Sequence, residues 1–315
     1  MINVYDTYRT LCQMGKRHAV ITGGASGLGL GCATHFRRLG YDITVADIDA
    51  TASERAQARL RALPGDGSVN VRALDLADTA SIAHVAEALK AHGQPIDVLV
   101  NNAGIYPPAL RRVCAEGHEL SFAIAHLGHF RLTHALWPLL AAVPAARVIS
   151  ISSLVQRQAR LNLEDLAWNQ GYAPIRAYQQ TKLACLLFAR ELHRRLSASG
   201  SDISSYAAHP GVCRTHIGRN RPRSGRDNAW QRFATGALAQ GLRYFGQSPE
   251  EGARPVIAVA TTDQFPAGSF VGPRWLNESF GRPADIAPGP AARDPTLAAA
   301  LWTRTEQLTG LRWAF

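Results

Sequence analysis

Short apolar runs that end in glycines or polar turns alternate with longer stretches in which apolar residues recur every three to four positions. "HAVITGG" (18–24) is the first such run, and "LGLGCATHFRRLG" (28–40) follows it with helical spacing and a closing glycine. The alternation continues with "YDITVADID" (41–49), the helical "TASERAQARLRALPG" (51–65) stopped by Pro64 and Gly65, and "SVNVRALDLAD" (68–78). Next come the helical "TASIAHVAEALKAHG" (79–93), capped by Asp78 or Thr79, and the apolar "IDVLVNNAG" (96–104). A long helical segment, "ELSFAIAHLGHFRLTHALWPLLAAV" (119–143), leads to "ARVISISS" (146–153), and "RAYQQTKLACLLFARELHRRLSASG" (176–200) leads to "DISSYAAHPG" (202–211). The strands read as near-continuous apolar runs rather than clean alternation, which is the pattern of a parallel sheet covered on both faces. Repeated strand–helix alternation predicts an α/β fold, a doubly wound parallel sheet with helices on both faces. No internal repeat or linker divides the 315 residues, so one domain is expected, with 212–248 and 262–315 as additions to it.

Composition narrows the setting. A charged fraction of 18% and a hydrophobic fraction of 46% fit a compact enzyme, not a disordered chain. No apolar run reaches the ~18 to 20 residues needed to span a bilayer, and residues 1–16 lack the apolar stretch of a secretory signal. Cys12, Cys32, Cys114, Cys185 and Cys213 are scattered, in no metal-ligand spacing, so reduced thiols in a cytoplasmic protein and no metal site are expected. The net charge of +10 raises the question of nucleic acid. The densest basic stretch, "RTHIGRNRPRSGR" (214–226), is punctuated by glycine and proline and so reads as a loop; no nucleic-acid partner is expected.

The turn "TGGASGLG" (22–29) lies between a predicted strand and helix, as a dinucleotide site requires. Gly23, Gly27 and Gly29 would let the backbone turn tightly, approach a pyrophosphate and pack the helix on the sheet. Thr22, Ser26 and Leu28 complete the turn, and the amides of the helix N-terminus favour phosphate there. Asp47, 18 residues beyond Gly29, closes the second strand, where a carboxylate accepts hydrogen bonds from ribose hydroxyls and repels a 2′-phosphate. Asp49 is the fallback. NAD is therefore the expected cofactor, in preference to NADP.

Only Lys16, Lys90 and Lys182 are lysines among 34 basic residues, and Lys182 falls four positions after Tyr178. Residues four apart share a helix face, and an ammonium beside a phenol stabilises the phenolate and prepares it for proton transfer. Lysine is a compact point charge that can also donate to a ribose hydroxyl, a double task for which arginine's planar fork is poorly shaped. Ser153 ends the "ISISS" strand at the sheet edge where α/β ligands sit, and its hydroxyl is placed to meet a substrate oxygen beside Tyr178. A Tyr–Lys pair alone is common on helices; the upstream glycine turn and Ser153 make it chemically meaningful.

Taken in order, "TGGASGLG", Asp75-Leu76, "NNAG" (101–104), "ISS", "YQQTK" and "HPGVCRT" resemble the short-chain dehydrogenase/reductase family. "AHLGHFRLTHAL", "KLACLLFARELHRRL" and "DPTLAAALWTRTEQLTGL" resemble its branch of retinol dehydrogenases and the WW-domain oxidoreductase, as does the 25-residue separation of Ser153 from Tyr178. The resemblance runs from about residue 17 to the C-terminus and implies a Rossmann domain over 17–315 behind a short extension. It further implies that Ser153 positions the substrate oxygen, that Tyr178 exchanges the hydroxyl proton, and that Lys182 holds the nicotinamide ribose. Asp75 and Leu76 would approach the adenine, and Asn102, Ala103 and Gly104 would line the cofactor channel. Pro210, Gly211, Val212 and Thr215 would hold the carboxamide. A homodimer or homotetramer built on two long helices is implied as well, although the apolar face of "FAIAHLGHFRLTHALW" reads equally as core.

Two departures stand out. The family's usual catalytic asparagine is replaced by Ala125, which keeps the main-chain carbonyl of that position and loses its side-chain hydrogen bonds. Asp47 stands where the retinol-type branch often has a basic residue, which points to NAD-linked oxidation. Trp230, Phe233, Leu238, Leu242, Tyr244 and Phe245 in 212–248 suggest a lid over a bulky lipophilic alcohol or ketone such as a terpenoid, steroid or polyketide. Arg214, Arg219, Arg221 and Arg223 are candidates to meet a carboxylate on it. The competing readings are a catalytically impaired NAD-binding regulatory protein and an epimerase or dehydratase using the same triad.

Overall fold

The computed structural model describes residues 16–213 and 246–315. The expected lid residues from Arg214 to Phe245, Thr215 among them, and all but the last residue of the N-terminal extension lie outside the described residues. Seven parallel strands form most of one sheet: β1 (His18–Thr22), β2 (Asp42–Asp47), β3 (Val69–Ala73), β4 (Val98–Asn101), β5 (Arg147–Ile151), β6 (Ser204–Ala208) and β7 (Phe270–Trp275). An eighth, β8 (Phe280–Asp285), pairs antiparallel with β7, and the order across the sheet is β3-β2-β1-β4-β5-β6-β7-β8. The order reverses between β1 and β4, and in sheets of this kind ligands bind at the carboxyl ends of the strands at that switch point.

Helices cover both faces. α1 (Gly27–Arg38), α2 (Ala50–Arg61) and α8 (Pro249–Thr261) bury Phe36, Leu60 and Val256 against one face. The opposite face carries α3 (Thr79–His92), the segment 120–141, and α7 (Pro174–Ala198), with Leu89, Phe130 and Leu192 inside. Asp78, not Thr79, caps α3 by accepting the Ala80 amide, and Gly93 closes it in the left-handed conformation. Pro255 sits within α8, which is anchored at its start by a reciprocal Ser248–Glu251 capping box.

The segment 120–141 is not one regular helix. α4 (Leu120–Phe122) runs into a π-helix (Ala123–Gly128), then α5 (His129–Ala135) and α6 (Trp137–Ala141). Gly128 permits close approach to the turn after β3: a Cβ there would lie 2.4 Å from the Leu76 carbonyl oxygen. The apolar outer side of this segment is core, because α9 (Pro295–Thr309) lies over it and over α7. Trp302, 2% exposed, places its ring 5.0 Å from Phe130 and 5.8 Å from Phe188. Residues 262–315 thus supply two strands of the sheet and an outer helix. Among the described residues no helix is long and apolar enough to cross a membrane.

Candidate active site

Because β1 to β6 are parallel, the polar turns that follow them all open at one edge, and most sequence-selected residues meet there. The glycine turn follows β1, with Gly23 at φ 62° and Gly27 at φ 50°, both left-handed positions that favour glycine. Gly29 serves a different need: a Cβ there would come within 2.2 Å of the Gly23 carbonyl oxygen and 2.6 Å of the Asn102 side-chain nitrogen. Ser26 caps α1 in extended conformation without a side-chain cap bond, and the first turn of α1 has no acidic residue. A helix end of this kind suits phosphate.

The turn after β4 is tied to the turn after β1. Asn102 donates its side-chain N–H to the Thr22 carbonyl (2.7 Å), and the Asn102 and Ala103 amides donate to the Thr22 hydroxyl oxygen (2.9 and 3.0 Å). Asp47, half-buried at the end of β2, accepts from the Ala25 amide (3.0 Å) and the Asp49 amide (3.1 Å). Asp49 is exposed and committed to capping α2 through the Ala52 amide, so Asp47 is the carboxylate that reaches the glycine turn. Asp75 accepts from the Ala77 amide (2.8 Å), which shapes the turn after β3, and Leu76 beside it is buried.

Ser153 follows β5 in extended conformation (φ −156°) with no side-chain cap bond, whereas its neighbour Ser152 donates to the Lys182 carbonyl (2.7 Å). Tyr178 and Lys182 lie on α7, as the four-residue spacing predicts. Lys182 is 4% exposed; its ammonium donates to the Ile151 carbonyl (3.0 Å) and lies 5.9 Å from the Tyr178 ring centroid. A Cβ on Gly104 would stand 3.6 Å from both the Lys182 nitrogen and Ala125, so this glycine faces the lysine and the π-helix together. Ala125 lies within the π-helix. Such stretches recur at functional sites, where the extra residue re-aims local carbonyls.

Sequence reasoning missed a second set of residues. Tyr106, two positions past "NNAG", packs its ring 5.2 Å from that of Tyr178. Pro210, Gly211 and Val212 are propped by the tip of the β7–β8 hairpin. The Ser279 carbonyl accepts from the Val212 amide (2.9 Å) and the Gln247 side chain (2.8 Å), and Gln247 also donates to the Pro210 carbonyl (3.0 Å). Leu276, Asn277 and Glu278 are consecutive left-handed residues, a costly conformation outside glycine. The bend turns Glu278 inward to pair with Arg157 and brings its other oxygen 3.5 Å from the His209 ring. Burial, and secondarily the Arg157 charge, pushes the His209 imidazole down to about 3. Its neutral Nδ1 accepts from the Gly211 amide (3.2 Å). The only sequence signal for this prop was the "HPG" turn itself.

Residues 17–224 match the short chain dehydrogenase family. Human retinol dehydrogenase 13 is 33% identical over 293 residues, 93% of this chain and 84% of its own. Polyprenol dehydrogenase of Mus musculus is 33% identical over 302 residues, with the same coverage of 93% and 84%. Among solved structures, an uncharacterised protein from Mycobacterium Paratuberculosis superposes with a TM-score of 0.74 at 36% identity over 95% of each chain. The RhlG/NADP active-site complex of Pseudomonas aeruginosa superposes at 0.62 with 26% identity, covering 82% of this chain and 94% of its own.

Proposed function

The chain belongs to the short chain dehydrogenase family, oxidoreductases of CH–OH groups that use NAD(H) or NADP(H), and from that premise we propose NAD-linked oxidation of a bulky lipophilic alcohol. Reduction of the matching ketone or aldehyde is the same chemistry in reverse. One observation carries the reading: Lys182, one helical turn after Tyr178, donates to the Ile151 carbonyl at the end of the strand that Ser153 follows, and Gly104, from the turn bonded to the glycine turn, faces its ammonium. The glycine turn fits a dinucleotide: Gly23 and Gly27 bend the backbone in the left-handed region, Gly29 packs α1 closely on that bend, and the amides that open α1 have no acidic neighbour in the first turn. Gly23, Ser26, Gly27, Leu28 and Gly29 would hold the phosphates, with Thr22 buried beneath them and tying the turn to Asn102 and Ala103, and Asp75, Leu76 and Asn102 to Gly104 would flank the adenine and the channel. Pro210 to Val212 would meet the carboxamide. The bound dinucleotide would supply the hydride acceptor.

The chain's own groups handle the proton. Tyr178 takes the hydroxyl proton as the C–H bond breaks, and Ser153 donates a hydrogen bond that fixes the substrate oxygen. Lys182, held by the Ile151 carbonyl, stands on the tyrosine's side of the helix, where its ammonium would donate to a ribose hydroxyl of the dinucleotide. Asp47 supports the choice of NAD. It accepts the Ala25 and Asp49 amides, which holds its carboxylate beside the glycine turn at the end of β2, where it would accept from ribose hydroxyls and repel a 2′-phosphate. The named alcohols of the relatives, retinol and polyprenol, are long apolar molecules, which supports a lipophilic substrate class. Buried thiols at Cys32, Cys114 and Cys185 support a reducing, cytoplasmic setting.

The test is NADH formation on mixing the protein, NAD and a panel of terpenoid, steroid and polyprenyl alcohols. Wild type is expected to form NADH with at least one, and Asp47→Asn to lower the NAD-over-NADP preference in kcat/KM about tenfold. Tight NAD binding without NADH from any alcohol would instead support the epimerase or the regulatory reading.

A further inference from the structure

His129 lies at the junction of the π-helix and α5, 3% exposed, and nothing in the proton chemistry above uses it. Its Nδ1 is 2.9 Å from the Ala125 carbonyl oxygen and its Nε2 is 2.8 Å from the Thr22 hydroxyl. A carbonyl only accepts, so Nδ1 carries the hydrogen. Burial first, and the Lys182 charge among the remaining causes, pushes this imidazole down to about 4, so the ring is neutral and Nε2 is bare. Nε2 therefore accepts the Thr22 proton.

The Thr22 hydroxyl is then completely committed. Its oxygen accepts from the Asn102 and Ala103 amides at 2.9 and 3.0 Å, and its single proton goes to His129. The other acceptor in reach, the Val100 carbonyl, is farther at 3.2 Å. Hydroxyl lone pairs turn with the proton, so the acceptor that takes the proton also aims the lone pairs at the two amides. The ring is anchored on its other side as well: the Ala125 carbonyl accepts from His129 Nδ1–H (2.9 Å) and from the Cys185 thiol (3.2 Å).

We propose that His129 is a positioning residue for the dinucleotide: by taking the Thr22 proton it locks together the two turns, after β1 and after β4, between which the cofactor binds. Its anchorage on Ala125 fixes the tautomer this requires.

The inference rests on the dinucleotide reading, and glutamine and asparagine variants separate the two. Glutamine at 129 can place an acceptor near Nε2, whereas asparagine can reach only the Nδ1 position. NADH affinity, measured by fluorescence titration, is expected to fall about tenfold in His129→Phe and His129→Asn and to stay within about twofold of wild type in His129→Gln. kcat at saturating cofactor should stay within about threefold in all of them. In a Thr22→Val background, His129→Phe should weaken binding no further. Equal NADH affinity in all these proteins, equal loss in the Gln and Phe variants, or additive losses with Thr22→Val would overturn the proposal. Should His129→Phe not fold, the ¹⁵N spectrum of the wild-type ring decides: hydrogen on Nδ1 is expected, and hydrogen on Nε2 overturns it. A wild type that binds neither NADH nor NADPH would remove the dinucleotide reading itself.

Discussion

Replacing Tyr178 by phenylalanine is expected to lower kcat about a thousandfold while NADH affinity stays within about twofold. The substitution removes one hydroxyl and little else. Phenylalanine keeps the ring packed against Tyr106 (5.2 Å between centroids) and beneath the Lys182 ammonium (5.9 Å), so the packing of α7 survives. Lys182 keeps its Ile151 acceptor, and the glycine turn is untouched. What disappears is the group that moves the hydroxyl proton. Tyr172, another phenol on this side of the sheet, is pushed up to about 12, chiefly by burial, and its hydroxyl is committed to the Pro108 carbonyl (2.7 Å). Turnover with a substrate alcohol, an NADH titration and a thermal melt on the same preparation make the check. Full activity in the variant would place proton transfer on another group and remove the proposed mechanism.

Residues whose role is set by their own backbone were legible in the sequence; residues whose role is set by distant partners were not. Gly23 and Gly27 sit in left-handed positions that few other residues adopt, so a glycine-rich turn between an apolar run and a helix already stated its geometry. Tyr178 and Lys182 needed only the helical repeat to share a face. The register of β2 then decided between Asp47 and Asp49, since only the former reaches the Ala25 amide. His129 was hidden for the opposite reason. Within "AHLGHF" it reads as one more inward position on an apolar helix, and its partner Thr22 is 107 residues away. Glu278 and His209 met only because β7 and β8 form a hairpin whose tip bends back, and neither strand announces itself in residues 270–285. Proline at 273 and 283 and glycine at 272 and 281 argue against strands in a sequence reading. Gly272 is nevertheless required there, because a Cβ would come within 1.8 Å of the His209 ring.

Gly29→Ala is expected to weaken NADH binding by about a hundredfold or more and to destabilise the fold by about 1–3 kcal/mol. One methyl group suffices because its surroundings are fixed. The Gly23 carbonyl oxygen, 2.2 Å from the added carbon, belongs to a residue whose amide donates to the Ala46 carbonyl in β2 (2.7 Å). The Asn102 side-chain nitrogen, 2.6 Å away, is bonded to the Thr22 carbonyl (2.7 Å). Relief on either side breaks the junction of the two turns that the cofactor needs. Gly93→Ala is the control: it places alanine in a left-handed position (φ 74°) with nothing within 4 Å of its Cβ, at the far end of α3. That variant should lose about 1 kcal/mol to backbone strain and bind NADH like wild type. Thermal unfolding and NADH titration of both variants separate stability from binding. If Gly29→Ala bound NADH as tightly as Gly93→Ala, the phosphates would lie elsewhere than on this turn, and the assignment of the whole cofactor site would fall with it.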